Sequence, residues 1–295
     1  MEIPVGEIAS LAAAASWAIG LSLFRGEVRE IGALPVNLFK GVLGMAMFLA
    51  CAALIGAPMG GARAQMMLML SGLLGLALGD TLLFVALGEL GAHRAALFGS
   101  LGPVMTAIGG WVLLDERLSP WESAGILLAS SGVAMVVYFR SAPGEPGHAS
   151  TRGVVCGVAS AICQAGGVLL SKQAMTEVHF LGAAALRLFA ANLALIAVLL
   201  YRRQLSAVVR RMFEGRRALR MARATFFATF LGLGLMQLGI AETDSAVANA
   251  LHSTTPLFTL PIGLFVLRER FGPLAILGSL VAVGGVFLLL FAGTF

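Results

Sequence analysis

The sequence predicts an all-α membrane protein, with ten transmembrane helices laid out as two inverted five-helix repeats. Three observations carry that expectation. Hydrophobic residues make up 59% of the 295 residues and charged residues only 12%, too few charges to cover the surface of a soluble domain of this size. Apolar stretches of membrane-spanning length follow one another along the chain. The second half repeats the first: residues 79–137 align with 232–290 at an offset of 153 without a gap.

In that alignment Gly79 falls on Gly232, Ser100 on Ser253, Pro103 on Pro256, Gly125 on Gly278 and Gly132 on Gly285. Upstream, Gly6, Gly20 and Arg25 precede Gly153, Gly167 and Lys172 by 147 residues, and Leu38-Phe39 precedes Leu188-Phe189 by 150. A membrane chain built from two copies of one unit places its binding site between the copies.

A span needs roughly 20 mostly apolar residues. The first expected span, 6–24, has Glu2 and Glu7 before it instead of a basic leader, so it reads as retained. The second, 34–56, contains Lys40, and the third, 66–88, contains Asp80, Phe84 and the close-packing pattern Gly75-x-x-x-Gly79. The fourth, 93–114, is interrupted by Ser100-Leu-Gly-Pro103, and the fifth covers 121–140. The sixth, 153–172, opens on Gly153-x-x-x-Gly157 and contains Gln164; the seventh, 181–201, contains Arg187. The eighth, 224–241, contains Gln237; the ninth, 245–267, contains Asn249 and His252-Ser-Thr-Thr-Pro256; the tenth covers 272–293.

A Pro/Gly-rich segment, Ser141 to Thr151, splits these into five and five, giving one repeat over 1–140, a linker over 141–152 and a second repeat over 153–295. Because five is odd, the second copy enters the membrane from the opposite side. Lys and Arg on alternate connections number fifteen against three, with Lys40 and Arg187 inside spans. The heavier side is expected to be cytoplasmic, which puts both termini outside. Much of the excess lies in residues 202–223, where Leu205, Val208, Val209, Met212 and Phe213 recur at helical spacing among arginines. That segment reads either as a topology anchor or as a grip on anionic lipid.

Residues Ala86 to Leu118, ALGELGAHRAALFGSLGPVMTAIGGWVLLDERL, resemble the repeat signature of the drug/metabolite transporter superfamily, EamA-type. Ala241 to Phe271 matches more loosely, and Leu186-Arg187-Leu188-Phe189 resembles the start of that family's second helix. The resemblance implies a secondary transporter, not an enzyme, without a cofactor, for amino acids, other metabolites, drugs, nucleotide-sugars or sugar phosphates. The small multidrug-resistance branch uses a membrane Glu in its first helix. Here that helix has only Glu7 near its start, so proton/drug antiport through that residue is not implied.

A charge at the bilayer centre costs about 2.5–3.5 kcal/mol on insertion scales, so the polar residues inside spans are the candidate site. Lys40 and Asp80 come at similar depth and read as an ion pair, serving as a gate, a substrate contact or plain structure. Arg187 takes the corresponding place in the second copy, with Glu242 or Asp244 as candidate partners. Trp17 and Gln164 occupy matching midplane positions, as do Phe84 and Gln237. Ser100, Asn249 and His252 add polarity beside the two proline breaks. Positive charge at inverted places favours anions or zwitterions.

The expected substrate is a small polar or amphipathic metabolite such as an amino acid, exported by alternating access across a bacterial inner membrane, with the proton as candidate coupling ion. The alternatives are a cationic-drug exporter and a non-transporting membrane assembly partner. The lipid bilayer is the surrounding partner, nothing points to nucleic acid, and ten spans suffice for a monomer. Cys51, Cys156 and Cys163 sit in apolar runs with no metal or disulfide spacing. A reporter fused after Phe295 should read as extracytoplasmic; a cytoplasmic signal from an active fusion would overturn the topology.

Overall fold

A computed structural model of the chain describes residues 4–83, 85–86, 98–139, 150–255, 257–258 and 272–291, and every regular element among them is helical. Helix α1 (Val5–Ile31) runs past its apolar stretch, Val5–Phe24, to bring Glu27 and Glu30 beyond the end of the bundle. The chain then reverses at Gly32, whose φ of 86° is open to glycine at little cost, and enters α2 (Ala33–Leu54). Helix α3 (Ala62–Ser71) continues without a break into a π-wound stretch, Gly72–Gly79.

Helix α4 (Gly102–Leu114) begins just after the turn at Ser100 and Leu101. Pro103 therefore sits in a first helical turn, where its missing N–H costs nothing, and not at a mid-span kink. Helix α5 (Pro120–Phe139) starts with a capping box in which Ser119 N donates to the Glu122 carboxylate at 2.6 Å and Glu122 N to Ser119 Oγ at 3.2 Å.

In the second half, α6 (Thr151–Ala174) is capped by Ser150, and α7 (Phe180–Tyr201) follows. Two short helices, α8 (Leu205–Met212) and α9 (Arg217–Thr225), come next. Helix α9 runs into a second π-wound stretch, Phe226–Leu233, and then α10 (Gly234–Glu242). Helix α11 (Ser245–Ser253) and α12 (Pro273–Phe291) complete the described fold. Seven helices among the described residues are long and apolar enough to cross a membrane, with Gly102–Leu114 and Ile276–Phe291 as shorter apolar helices. Large apolar side chains such as Leu113, Leu127, Leu193 and Leu280 face outwards, as a lipid-facing surface requires.

The two halves are laced together. The third span of each half docks on the first two spans of the other: Gly72–Gly79 against α6 and α7, and Phe226–Leu233 against α1 and α2. Small residues make the approach possible, and they do so reciprocally. A Cβ on Gly20 would overlap the Ala228 backbone, and one on Gly167 would stand 3.1 Å from Gly75 Cα; Gly75 and Ala228 are themselves 153 residues apart. The same exchange joins α5 to α12, where a Cβ on Gly132 would overlap the Ala282 backbone and one on Gly285 the Ala129 backbone. The π-wound stretches also fall within one residue of the same register, since an offset of 153 carries residues 72–79 onto 225–232.

Polar ties close the bundle ends, each joining connections of the same expected side. At one end buried Glu27 pairs with Arg217 at 3.1 Å and with Arg220, while Glu30 meets Arg217 at 2.9 Å. The hydrogen bond from Arg217 holds the Glu30 carboxyl below its usual range. Helix α8 lies alongside with Val208 and Met212 buried among Phe24, Val36, Leu38 and Met221, whereas Val209 and Phe213 stay exposed. At the other end Lys172 Nζ donates to Thr243 O at 2.8 Å and Ala241 O at 3.3 Å. There too Glu116 accepts from Ser245 N and Oγ, at 3.1 and 2.6 Å, instead of pairing locally with Arg117.

Replacing Gly132 with Val puts a side chain where the α12 backbone already lies. Overpacking of this kind costs about 1–3 kcal/mol, so Gly132→Val should lower the melting temperature of the detergent-solubilised protein by several degrees. An unchanged melting curve would mean that α5 and α12 do not meet there.

Candidate functional site

A cavity of about 270 Å³ lies between the halves. Helices α1 and α2 contribute Trp17, Asn37, Lys40 and Gly41; the first π-wound stretch and the residues after it contribute Gly75, Leu76, Asp80 and Leu83. From the second half come Gln164, Arg187, Asn192, Thr229, Leu233, Met236, Asn249 and His252, among others. Of the residues singled out in the sequence, Trp17, Lys40, Asp80, Gln164, Arg187, Asn249 and His252 thus stand around one cavity.

Two others do not, and a third is not described. Gln237 is completely buried behind the wall, Ser100 is buried outside the lining, and Phe84 lies outside the described residues. Asn37 and Asn192 line the cavity although neither was expected to. Asn192 could have been found by the rule that flags Gln164, as a lone amide inside an apolar span.

The indole of Trp17 is set by contacts on three sides. Its edge rests on Gly232, where a Cβ would overlap the ring. Lys40 Nζ stands 5.6 Å from the ring centroid, a cation–π approach. His252 packs edge-on, with centroids 5.7 Å apart and planes at 85°. The matching position in the other half behaves likewise, since a Cβ on Gly79 would stand 3.0 Å from Gln164 Cγ. Gly79 and Gly232, one in each π-wound stretch, therefore each seat a side chain of the opposite half.

The charges are arranged differently from the expected pair. Lys40 and Asp80 face the same cavity but form no ion pair within 4.0 Å, because Lys40 is drawn over Trp17. Lys40 and Arg187 are the two cations close enough to act on the Asp80 carboxylate. Arg187 does not reach Glu242 or Asp244; its Nη1 donates to Gln237 Oε1. Gln237 Nε2 in turn donates to Ser171 Oγ at 2.7 Å and approaches Met175 Sδ at 3.6 Å. Asn249 Nδ2 donates to Thr106 Oγ1 at 2.8 Å, tying α11 to α4. Several buried polar atoms on cavity residues have no protein partner: Trp17 Nε1, Arg187 Nε, Asn192 Nδ2 and His252 Nδ1. Unpaired buried groups are costly, and they concentrate where a ligand or water completes them. No group of three or more metal-ligating side chains occurs among the described residues.

The EamA-like transporter family pattern matches the chain twice, over residues 4–138 and 151–291. The chain belongs to the EamA-like transporter family. It is a multi-pass membrane protein. Among curated proteins it is similar to Solute carrier family 35 member G1 of Homo sapiens, 27% identical over 117 residues, which are 39% of this chain. That match spans 32% of the human protein's length. A solved structure described only as "Crystal structure of protein" covers 96% of this chain and 95% of its own, with a TM-score of 0.76 at 17% identity. At that identity the likeness shows the shared fold.

Trp17→Ala removes the surface on which Lys40 and His252 rest. The variant should insert and purify as the unaltered protein does, yet lose substrate-dependent thermal stabilisation by about tenfold in apparent affinity, the scale of a ~1.4 kcal/mol contact. Unchanged stabilisation would remove Trp17 from the site.

Proposed function

We propose that this EamA-family member is a secondary transporter that exports a small polar or amphipathic metabolite, such as an amino acid, by alternating access. The observation that carries the reading is the cavity between the halves, whose described lining holds Lys40 and Arg187 against one acid, Asp80. Both charge signs around one cavity suit a molecule that carries both. A cationic drug would meet two cations there, which disfavours that alternative. The human relative's name, a solute carrier, is in keeping with a dissolved substrate.

In this reading the ten spans form two inverted repeats, 1–140 and 153–295, joined by the 141–152 linker. The arginine-rich end faces the cytoplasm of a bacterial inner membrane. Reciprocal contacts such as Gly20 with Ala228 and Gly167 with Gly75 support a pseudo-two-fold arrangement. Asp80, facing the cavity between two cations, is the candidate carrier of a coupling proton.

Purified protein in liposomes, tested for efflux across a metabolite panel with and without a pH gradient, should move zwitterionic or anionic metabolites, faster with the gradient. Transport restricted to organic cations would establish the drug-exporter alternative. No movement of any compound by folded, correctly inserted protein would sink the transport reading.

A further inference from the structure

The Arg187 guanidinium is only half used by the protein. Its Nη1 is taken by Gln237 Oε1. Its Nε is buried and has no partner. Nη2 makes no hydrogen bond among the described residues, and a Cβ placed on Gly75 would stand 3.6 Å from it. The Nε–Nη2 edge is the one that presents two parallel N–H groups, the geometry that matches the two oxygens of a carboxylate. The residue is 4% exposed, so little of its surface reaches solvent. No acid lies within ion-pair distance among the described residues, and Asp80 acts on Arg187 only through space.

We propose that the Nε–Nη2 edge of Arg187 receives a carboxylate of the transported molecule, and that Gln237 is the positioning residue that aims this edge. This rests on the transport reading above and narrows it to a carboxylate-bearing substrate. Gln237 touches no cavity space; it acts through Arg187. Its Oε1 pins Nη1, and its Nε2 is held by Ser171 Oγ at 2.7 Å with Met175 Sδ at 3.6 Å behind it. Every polar atom of the amide is thereby committed, so the guanidinium plane is set before substrate arrives and the ordering cost is already met. Gly75 keeps the approach open, because a larger side chain there would crowd Nη2.

The charge balance favours a carboxylate over a phosphate. Among the described residues, Lys40 and Arg187 against Asp80 give the cavity lining one net positive charge. One carboxylate cancels it. A phosphate ester brings about −1.5 to −2 and overshoots beside Asp80. Asn192, on the same helix as Arg187 and 5% exposed, leaves its Nδ2 without a partner and supplies a further donor on that wall.

The test compares a transported carboxylic acid with its carboxamide and with a phosphate ester of similar size, by ligand-induced thermal stabilisation in detergent and by counterflow in liposomes. The unaltered protein should prefer the acid by about tenfold or more, as expected for a site whose buried donors are left unpaired by the wrong ligand. Arg187→Lys keeps the charge and loses the fork, so the preference should fall towards unity. Gln237→Leu should lower the preference at least about threefold, although Gln237 makes no contact with the cavity.

Equal binding of acid and amide by the unaltered protein, a preference for the phosphate ester, or full preference retained in Arg187→Lys would each overturn the proposal. Should Arg187→Lys fail to fold, the acid-to-amide ratio of the unaltered protein and of Gln237→Leu decides. Preferential acid binding without transport would count against the transport reading and leave this inference standing. Transport without any preference would do the reverse.

Discussion

Two helix backbones come as close as α5 and α12 do only where one of them carries no side chain at the contact. In lipid this constraint is severe, because apolar burial gives no preference for a neighbouring helix over the surrounding acyl chains; packing and hydrogen bonds must hold the bundle. Gly132 against Ala282, Gly285 against Ala129, Gly20 against Ala228 and Gly167 against Gly75 supply that packing in reciprocal pairs. The rest of the architecture depends on these contacts. They bring each third span against the first two spans of the other half, and the cavity lies between the halves so joined.

The same glycines shape the site. Gly232 seats the Trp17 indole and Gly79 seats Gln164, so a residue that serves packing in one half fixes a midplane side chain of the other. Both lie in or at the edge of the π-wound stretches. An i→i+5 winding turns successive side chains differently from an α-helix and is often found at functional sites. Here it ends one stretch immediately before Asp80 and places Thr229 and Leu233 of the other on the cavity wall.

Much of this was legible in the sequence because it rests on periodicity and repetition. The spans follow from apolar runs, and the offset of 153 foreshadows the Gly125, Gly132, Gly278 and Gly285 contacts, since a helix pair related by a two-fold needs small residues at both equivalent places. That polar residues within the spans gather at one cavity was legible too, because few polar side chains are tolerated inside spans. Partner choice was not. Depth along a span says nothing of azimuth, so Lys40 read as the partner of Asp80 when the Trp17 ring lies over it. Arg187 read as seeking Glu242 or Asp244, yet those acids sit at the bundle end, where Lys172 and the turn at Thr243 are engaged, while the buried amide of Gln237 is nearer. Asn192 was missed among apolar neighbours, and the π winding has no composition of its own.

The fold thus separates two tasks that membrane charges perform. At the ends Glu27, Arg217 and Arg220 neutralise one another beside α8, with Arg220 half-exposed to water. Such a tie can open without leaving a bare charge in lipid, because solvent replaces the lost partner. In the cavity, by contrast, Arg187 is held by a neutral amide and keeps one edge unspent. A carrier can bind and release only if its site charges are stable when empty and better satisfied when full. A full salt bridge to Asp80 would satisfy Arg187 too well to leave anything for a ligand, and a bare guanidinium would be too costly to bury. Pairing with Gln237 lies between these extremes: it covers part of the desolvation cost and leaves the remainder as affinity. On the proposed alternating-access reading, the differential affinity that moves the protein between its states comes from groups left incomplete in the empty cavity, and the unpartnered atoms of Arg187, Asn192, Trp17 and His252 are the candidates for it.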